Sequence, residues 1–526
     1  MKGKYLMLRV YRIRLEIDED ISSLKDKCEK AVGCRVKNVT LLKRSIDARR
    51  KNDVHYLCCV ECEPLGKYSL SENVRETSED EFAFKGGKTK GRVIIAGSGP
   101  AGLFAGLMLA RQGYEPIIVE RGESVENRVK KIDSFFCGGK LDTQTNIQFG
   151  EGGAGTFSDG KLNTGINDAR IRVVLKEFVR FGAPEEILYE AMPHIGTDIL
   201  RNVVKNIREE IIRLGGDVYF NTLLCRIDAP DSRLCGVWLL SDGEEKYMRC
   251  DALIAAVGHS SRDTFEMLAQ SGVEMEKKTF SVGVRIEHKQ SMINRAMYGD
   301  FADKLPPAPY KLWQHLKSGK SLYTFCMCPG GYVVNATSET GGVVTNGMSN
   351  YMREGENANS ALLVNTDGYD GLFGGVELQR ELERKSFEVG GGNYNMPVQN
   401  VSDFMCGKAS ADLEDVIPTV KPGYTPVDFR DIFSPDILSV LREGILSFER
   451  KIPGFSKCGV LTAPETRSSS PVKILRDKET LMTNISGLFT AGEGGGHAGG
   501  ITSSAVDGIK NAEAVCTYLD KYCIKY

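Results

Sequence analysis

The sequence contains no run of 18 or more apolar residues, so it offers no helix able to span a bilayer. Its first stretch, MKGKYLMLRVYRIRLEIDED, has Arg9, Arg12 and Arg14 interrupting the apolar residues, which leaves no signal-peptide core. Net charge is nearly absent: 68 Lys+Arg face 70 Asp+Glu, a formal −2, which argues against wholesale nucleic-acid binding. Proline is sparse at 18, and glycine follows no G-x-y period, so a low-complexity linker protein and a collagen are both excluded. Fifteen cysteines in 526 residues fall far below the density of a disulfide scaffold. The expectation is a soluble, cytoplasmic, reduced protein with no membrane partner. Its length suits about three domains, and 41% apolar residues suffice for their cores.

Glycine is what the sequence has in excess. Average usage of about 7% would give roughly 37, and there are 57. Residues 91–165 hold 15 of them and residues 487–508 hold 8. Glycine concentrated in this way marks backbone brought close to something. Charge is uneven too: residues 1–53 carry a net +7 and the remainder −9.

The first segment has the pattern of a small α/β unit. Tyr11, Ile13, Leu15 and Ile17 alternate with polar residues as a half-buried strand. Asp20 caps a helix with Leu24, Cys28 and Val32 on one stripe, stopped by Gly33. A second strand near Val36–Leu42, a basic loop 43–51 and a third strand, Val54 to Cys62, complete a β-α-β-β order compatible with a ferredoxin-like module. The basic loop suits a solvated or interdomain face better than an RNA site. Polar residues 64–90 suit a linker. Later, residues 218–227, 235–240 and 246–249 suggest an antiparallel meander, residues 280–455 are strand-rich, and no internal repeat occurs.

The strongest motif opens at Arg92: a buried strand to Ala96, then Gly97-Ser98-Gly99-Pro100-Ala101-Gly102 and a helix to Ala110. In such a unit Gly97 makes the tight turn, Gly99 admits a pyrophosphate, and Gly102 allows close helix–strand packing. The helix start offers unpaired N–H groups to the phosphates. Glu120, followed by Arg121, ends the next strand, where a carboxylate accepts from ribose hydroxyls and repels a 2′-phosphate. A second strand, glycine loop and helix start, Gly487 to Thr502, comes about 390 residues later. A ligand that needs two such loops suggests FAD. No second GxGxxG follows a strand, so no dedicated NAD(P)H domain is visible.

These segments carry a resemblance. VIIAGSGPAGLFAGLMLA (93–110), NIQFGEGGAGTFSDGKLNT (146–164), PHIGTD (193–198), VGHSSRDT (257–264), FCMCPGGYVVNA (325–336) and LFTAGEGGGHAGGITSSAVDGI (488–509) resemble a family of uncharacterised bacterial FAD-dependent dehydrogenases with a glutathione-reductase-like FAD domain. The resemblance implies a Rossmann-like, discontinuous α/β FAD domain, an α+β capping domain and a ferredoxin-like N-terminal domain. The expected bounds are 1–85 for the last, 91–280 and 456–526 for the FAD domain, and 281–455 for the cap. Cofactor contacts are expected from Gly97, Ser98, Gly99, Pro100, Ala101, Gly102, Glu120, Arg121 and Gly258. The Gly150–Lys161 loop, through Gly152, Gly153, Gly155, Ser158 and Lys161, is expected along the isoalloxazine, though such a run is also an anion nest or hinge. Gly492 and Glu493, the latter on ribitol, and Gly499, Gly500, Ile501 and Thr502 complete the set.

Reactive groups are less determined by pattern. His259 and Arg262 follow a strand that approaches the cofactor and are either catalytic or pyrophosphate and structural partners. His497 is a proton donor or an outer histidine. Glu465 and Arg467 are either a carboxylate clamp for substrate or an ion pair. In Phe325-Cys326-Met327-Cys328 the thiols would share one strand face. Without the usual redox spacing or a flanking base, core thiols are the favoured reading. Cys58, Cys59 and Cys62 lack a second pair for zinc, and no metal site is expected. The function expected is FAD-dependent two-electron dehydrogenation or reduction of a small organic substrate, with NAD(P)H as a transient reductant. A flavin monooxygenase and an FAD-containing RNA-modifying or RNA-binding protein are the alternatives.

Overall fold

The computed structural model describes residues 7–77, 82–366, 368–413 and 415–522. The chain opens with β1 (Met7–Leu15), α1 (Leu24–Val32), β2 (Val36–Asp47), β3 (His55–Pro64) and β4 (Val74–Thr77). These strands form one antiparallel sheet in the order β2-β3-β1-β4. Helix α1 buries Leu24, Cys28 and Val32 on the sheet and ends at Gly33, whose φ of 83° is left-handed. With β3 between β1 and β2, this is the split β-α-β of a ferredoxin-like unit, with loop 65–73 in place of a second helix. A register shift between Val10 and Ile13 places Arg12 at φ 56°. Leu8 and Val10 therefore join Ile13 and Leu15 in the core, and Tyr11, expected inside, does not.

Two expectations change here. The stretch 64–90 contains a strand, β4, and its residues 78–81 lie outside the described residues. From Lys85 onward it is tied to the last helix of the chain: Lys85 N–H donates to Glu513 (3.0 Å) and Lys88 N–H to Asp520 (2.8 Å). The basic stretch from Lys43 is mostly strand. Arg44 uses it to grip the rest of the protein, donating its N–H to the Tyr189 carbonyl (2.7 Å) and its Nε to Glu190 (2.7 Å).

The next part is β5 (Val93–Ala96), α2 (Pro100–Arg111), β6 (Ile117–Val119), α3 (Val125–Phe136), α4 (Arg170–Arg180), α5 (Thr197–Arg213) and β7 (Asp217–Tyr219). Then come β8 (Thr222–Asp228), β9 (Gly236–Ser241), β10 (Glu244–Arg249), β11 (Ala252–Ala255), α6 (Arg262–Gln270) and β12 (Met275–Lys277). Strands β8 to β10 are the expected meander. The stretch 218–227 is two strands rather than one, broken where Asn221 turns to φ 51°.

The third part supplies β13 (Ser281–Lys289), α7 (Gln290–Tyr298), β14 (Trp313–His315), β15 (Ser321–Cys328), β16 (Tyr332–Asn335), β17 (Thr345–Met348) and β18 (Asn357–Asn365). It continues with α8 (Gly374–Val389), β19 (Met396–Asn400), α9 (Val401–Cys406), β20 (Tyr424–Pro426), α10 (Pro435–Phe448) and β21 (Val460–Glu465). The chain closes with β22 (Val472–Ile474), β23 (Leu488–Thr490) and α11 (Ile501–Tyr522). Seven strands form a mixed sheet, β14-β15-β18-β13-β21-β19-β20. Strand β21 lies inside it, between β13 and β19, so the chain leaves this sheet after residue 465 rather than at 456.

The core of the second part is a five-stranded parallel sheet, β23-β11-β5-β6-β7. Helix α2 is buried almost all round and is the element on which the parts close. It lies against β5 so closely that a Cβ on Gly102 would sit 1.9 Å from the Gly97 carbonyl oxygen. Helix α11 presses on its start equally closely, a Cβ on Gly508 falling 2.1 Å from the Ala101 carbonyl.

The cap core gathers aromatic rings around Phe455, which is fully buried and meets Phe448, Tyr310 and His288 with centroids 5.6, 5.8 and 4.6 Å away. Phe455→Ala is expected to destabilise the protein by about 3–5 kcal/mol. Urea denaturation followed by tyrosine fluorescence and circular dichroism measures this, and an unchanged midpoint would refute it.

Candidate functional site

The carboxyl ends of β5, β6, β11 and β23 open into one cavity of about 370 Å³, roofed by β15, β17 and the end of β21. In open parallel sheets this is where ligands bind. The first loop shapes one end. Gly97 has φ 103°, and a Cβ there would lie 2.3 Å from the Ala256 carbonyl oxygen. Gly99 precedes Pro100 at the start of α2, so the free N–H groups of that helix face the cavity. Pro100 and Ala101 also line it.

Glu120 is buried, and its carboxylate is fully engaged. One oxygen accepts from the Ser98 N–H (2.9 Å) and hydroxyl (2.8 Å), the other from the N–H groups of Gly122 (3.0 Å) and Gly150 (3.1 Å). It locks the first glycine loop to the second. Arg121 is held by Asp263 (2.9 Å) and Thr264 (2.8 Å) and stacks over Phe149 at 4.4 Å.

The second loop meets the first directly: a Cβ on Gly153 would lie 3.2 Å from the Gly99 Cα. Gly155, Ser158 and Lys161 continue the wall, and Ser158 closes its own turn by donating to the Gly155 carbonyl (2.6 Å). Lys161 Nζ stands 3.3 Å from Asp159 and 3.8 Å from the Cys328 sulfur. Gly258 and His259 come from the loop after β11, Gly492, Glu493, Gly499 and Gly500 from the C-terminal loop, and Ile501 from the start of α11.

Glu493 faces this cavity, and burial pushes its carboxyl up to about 7 against the pull of Lys278. Burial also takes His259 down to about 3, assisted by the charges of Arg467, Arg262 and Lys278, so its ring is neutral at physiological pH.

Six of the expected residues lie behind the wall or outside it. Ser98 and Gly102 support the first loop. Gly152 fixes the second by donating its N–H to the Ser98 carbonyl (2.9 Å). Thr502 ties α11 to the Leu162 carbonyl (2.8 Å). His497 borders a neighbouring cavity, and its Nε2 lies 2.9 Å from the Ile474 carbonyl, which fixes the ring away from the first cavity. Arg262 is fully buried in an ion network rather than exposed to a ligand.

That network also corrects the expected Glu465–Arg467 pairing. Glu383 on α8 receives Arg467 through Nε (2.9 Å) and Nη2 (2.8 Å), and Arg262 through Nη2 (3.0 Å) and Nη1 (3.2 Å). Glu465 pairs with Arg285 (2.7 Å and 3.0 Å) instead. Both residues border the cavity, but the guanidinium of Arg467 is spent on Glu383 and Ser338. The two arginines hold the Glu383 carboxyl far below the usual carboxylate range despite its burial.

Sequence pattern did not mark Arg128, which is fully buried and donates to five main-chain carbonyls of the second loop. These are Asn146 (2.9 Å), Ile147 (3.0 Å), Gly150 (3.1 Å), Glu151 (2.6 Å) and Gly153 (2.9 Å). Nor did it mark Phe325, Cys326 and Asn346 as cavity residues. The clustered carbonyls of a glycine-rich loop were the available signal for a buried donor.

Comparison with known proteins agrees with this construction. Residues 90–131 match the model of an FAD binding domain. Residues 279–468 match that of an FAD-dependent protein, C-terminal domain-like, and residues 7–63 a domain of unknown function. A protein of Clostridium beijerinckii described as an uncharacterized protein is 44% identical over 534 residues, covering 98% of this chain and 99% of that one. The chain belongs to this uncharacterised FAD-dependent family. It is a flavoprotein with a Rossmann-like FAD-binding fold.

The solved structures that the chain matches are more distant. E. coli quinol fumarate reductase is 12% identical, with 83% of this chain and 71% of that one covered and a TM-score of 0.38. A geranylgeranyl bacteriochlorophyll reductase-like protein from Thermoplasma acidophilum is 11% identical, with 82% and 79% covered and a TM-score of 0.34. The flavin-dependent halogenase CmlS is 13% identical, with 83% and 59% covered and a TM-score of 0.37. Among the described residues, no helix is long and apolar enough to cross a membrane.

The site yields two predictions. Glu383→Ala leaves two buried guanidinium groups without their carboxylate and is expected to cost about 3–5 kcal/mol, read as a lower urea midpoint. Glu493 binds its proton more tightly in the native than in the unfolded protein. Between about pH 4.3 and about 7 it therefore makes the FAD-free protein less stable as pH rises. Glu493→Gln is expected to remove that slope and to be the more stable form at pH 8; equal pH profiles in thermal melts would refute this.

Proposed function

We propose that the protein is an FAD-dependent oxidoreductase, a dehydrogenase or reductase that passes two electrons between a small organic substrate and the flavin. The observation that carries the reading is that both glycine loops, the Glu493 carboxyl and the cap residues Phe325 and Asn346 open on one cavity. Bound FAD supplies two-electron acceptance and donation there. The start of α2, with Gly97 and Gly99, receives the pyrophosphate. Glu120, which holds the two loops together, would border the ribose, and Glu493 would accept from the ribitol.

Gly499, Gly500 and Ile501 bring the start of α11 to the cavity, where its unpaired N–H groups favour negative charge. Arg467 and Lys161 add positive charge at the same wall. His259, neutral and buried, offers hydrogen bonds in this cavity and neither takes up nor gives up a proton at physiological pH. The substrate enters under the cap, where Phe325 supplies an apolar face and Asn346 a polar one.

The test is direct. Purified protein is expected to carry flavin absorbance and to release FAD on denaturation. The bound flavin is expected to be reduced anaerobically by NADH or NADPH and reoxidised by one of a panel of organic acceptors. A colourless protein that takes up no FAD overturns the reading. Glu493→Ala is expected to lose about 1.5–3 kcal/mol of FAD affinity, roughly tenfold to a hundredfold, measured by equilibrium titration of flavin fluorescence.

A further inference from the structure

The cysteines of β15 do not lie on a regular strand. Phe325 pairs with Ala361 and Cys328 with Asn359, so one extra residue bulges out of the strand between them. Cys326 occupies the bulge at φ 43°. A bulge re-aims side chains, and this one turns Phe325 and Cys326 towards the flavin cavity while Met327 and Cys328 are buried. The Cys328 thiol folds back over the bulge and donates to the Cys326 carbonyl at 3.3 Å. Arg285 Nη1 donates to the same carbonyl, also at 3.3 Å.

The charges around the pair favour one thiolate. From the second glycine loop come Lys161, 3.8 Å from the Cys328 sulfur, and Asp159, itself paired with Lys161 and with Arg353. From β13 comes Arg285, paired with Glu465 of β21. The ionisable groups of Glu493 and Tyr310 interact electrostatically with Cys326 and Cys328 respectively. The Cys328 thiol, Lys161 and Arg285 together pull Cys326 below the ordinary thiol range, while Cys328 is driven up as the proton holder. A sequence with no base beside C-x-C thus acquires its cation from a loop some 165 residues earlier.

We infer that Cys326 and Cys328 form a dithiol–disulfide couple in the flavin cavity and exchange two electrons with the flavin. The inference rests on the flavoprotein reading. In the oxidising direction the Cys326 thiolate and the Cys328 thiol form an S–S bond and the Cys328 S–H bond breaks. The two electrons and that one proton pass to oxidised flavin, giving its reduced anion; the reverse step cleaves the disulfide. The bulge permits the short ring, because it lets the Cys328 sulfur fold back over the backbone of Cys326.

The test uses the FAD-loaded protein. It is equilibrated without oxygen across a thiol–disulfide buffer series, alkylated and mapped by mass spectrometry. Expected is a Cys326–Cys328 linked peptide and yellow flavin in the oxidising arms, and free thiols with bleached flavin in the reducing arms, along one shared titration. Cys328→Ser is expected to keep FAD and lose both the linked peptide and the shared titration. Alkylation of Cys326 is expected to reach half its limiting rate well below the ordinary thiol value of about 8.5. Lys161→Met is expected to move that midpoint up. FAD-loaded protein whose two thiols stay separately alkylated across the series overturns the couple alone. So does Cys328→Ser flavin that titrates as in the parent. A linked peptide in protein that takes up no FAD overturns the electron exchange and the oxidoreductase reading together, leaving only an isolated disulfide.

Discussion

The site depends on how the segment 146–155 disposes of its backbone. Gly150, Gly153 and Gly155 line the cavity, while a cluster of the segment's carbonyls turns inward, away from water. A buried carbonyl without a partner costs about 1–3 kcal/mol, so the loop needs a dense donor. Arg128 meets five of these carbonyls with one planar fork. Glu151 then ties the loop outward, accepting from the Val125 N–H at the start of α3 and from Arg208 on α5, both at 2.7 Å. Glu120 joins this loop to the first one. Two segments that look like separate ligand loops are therefore one rigid piece, fixed before any ligand arrives.

The cap is fastened to the nucleotide-binding part by charge as well as by an apolar seam, in which Ile132, Ile147 and Phe157 pack with Ala336 and Val344. Arg262 comes from the nucleotide-binding part, Glu383 from the cap, and Arg467 from the crossing back. Each would be costly alone at such depth. Together they fix the roof at the height of the cavity. The electrostatics of the cavity follow from burial and the cations around it: burial, with Arg467, Arg262 and Lys278, keeps His259 neutral, while Lys161 and Arg285 favour electron-rich species at the cap wall. The same positive charge that would steady a reduced flavin also steadies a thiolate at Cys326.

The parts of this architecture written locally were legible in the sequence. Strand, GSGPAG turn and helix succeed one another within 20 residues, and their spacing states the geometry that Gly97 and Gly102 adopt. The C-terminal loop could be placed beside them because its glycines only make sense against a ligand. What stayed hidden depends on pairs far apart along the chain. Arg128 sits in an ordinary amphipathic helix pattern, and nothing in its neighbours shows that five carbonyls await it. Glu465 and Arg467 look like a pair because they are two residues apart. However, Glu465 ends a strand inside the cap sheet and Arg467 lies beyond it, so they reach Arg285 and Glu383 respectively.

The two places where alternation misled share a cause. In β1 the residue at Arg12 and in β15 the residue at Cys326 adopt positive φ at a register shift. Side chains in a strand alternate with period two, so one inserted residue exchanges the faces of everything on one side of it. At Arg12 the exchange only swaps Tyr11 out of a small core. At Cys326 it carries a thiol out of the core and into the cavity, within the field of Lys161 and Arg285. A pattern reading averages over such an insertion because neither residue type announces it. Arginine and cysteine at φ near 50° are costly, and the cost is met by contacts the local sequence does not contain. For Cys326 these are Arg285 on its carbonyl and the Cys328 thiol folded over it. The strained position is thus also the position where the strand meets the chemistry.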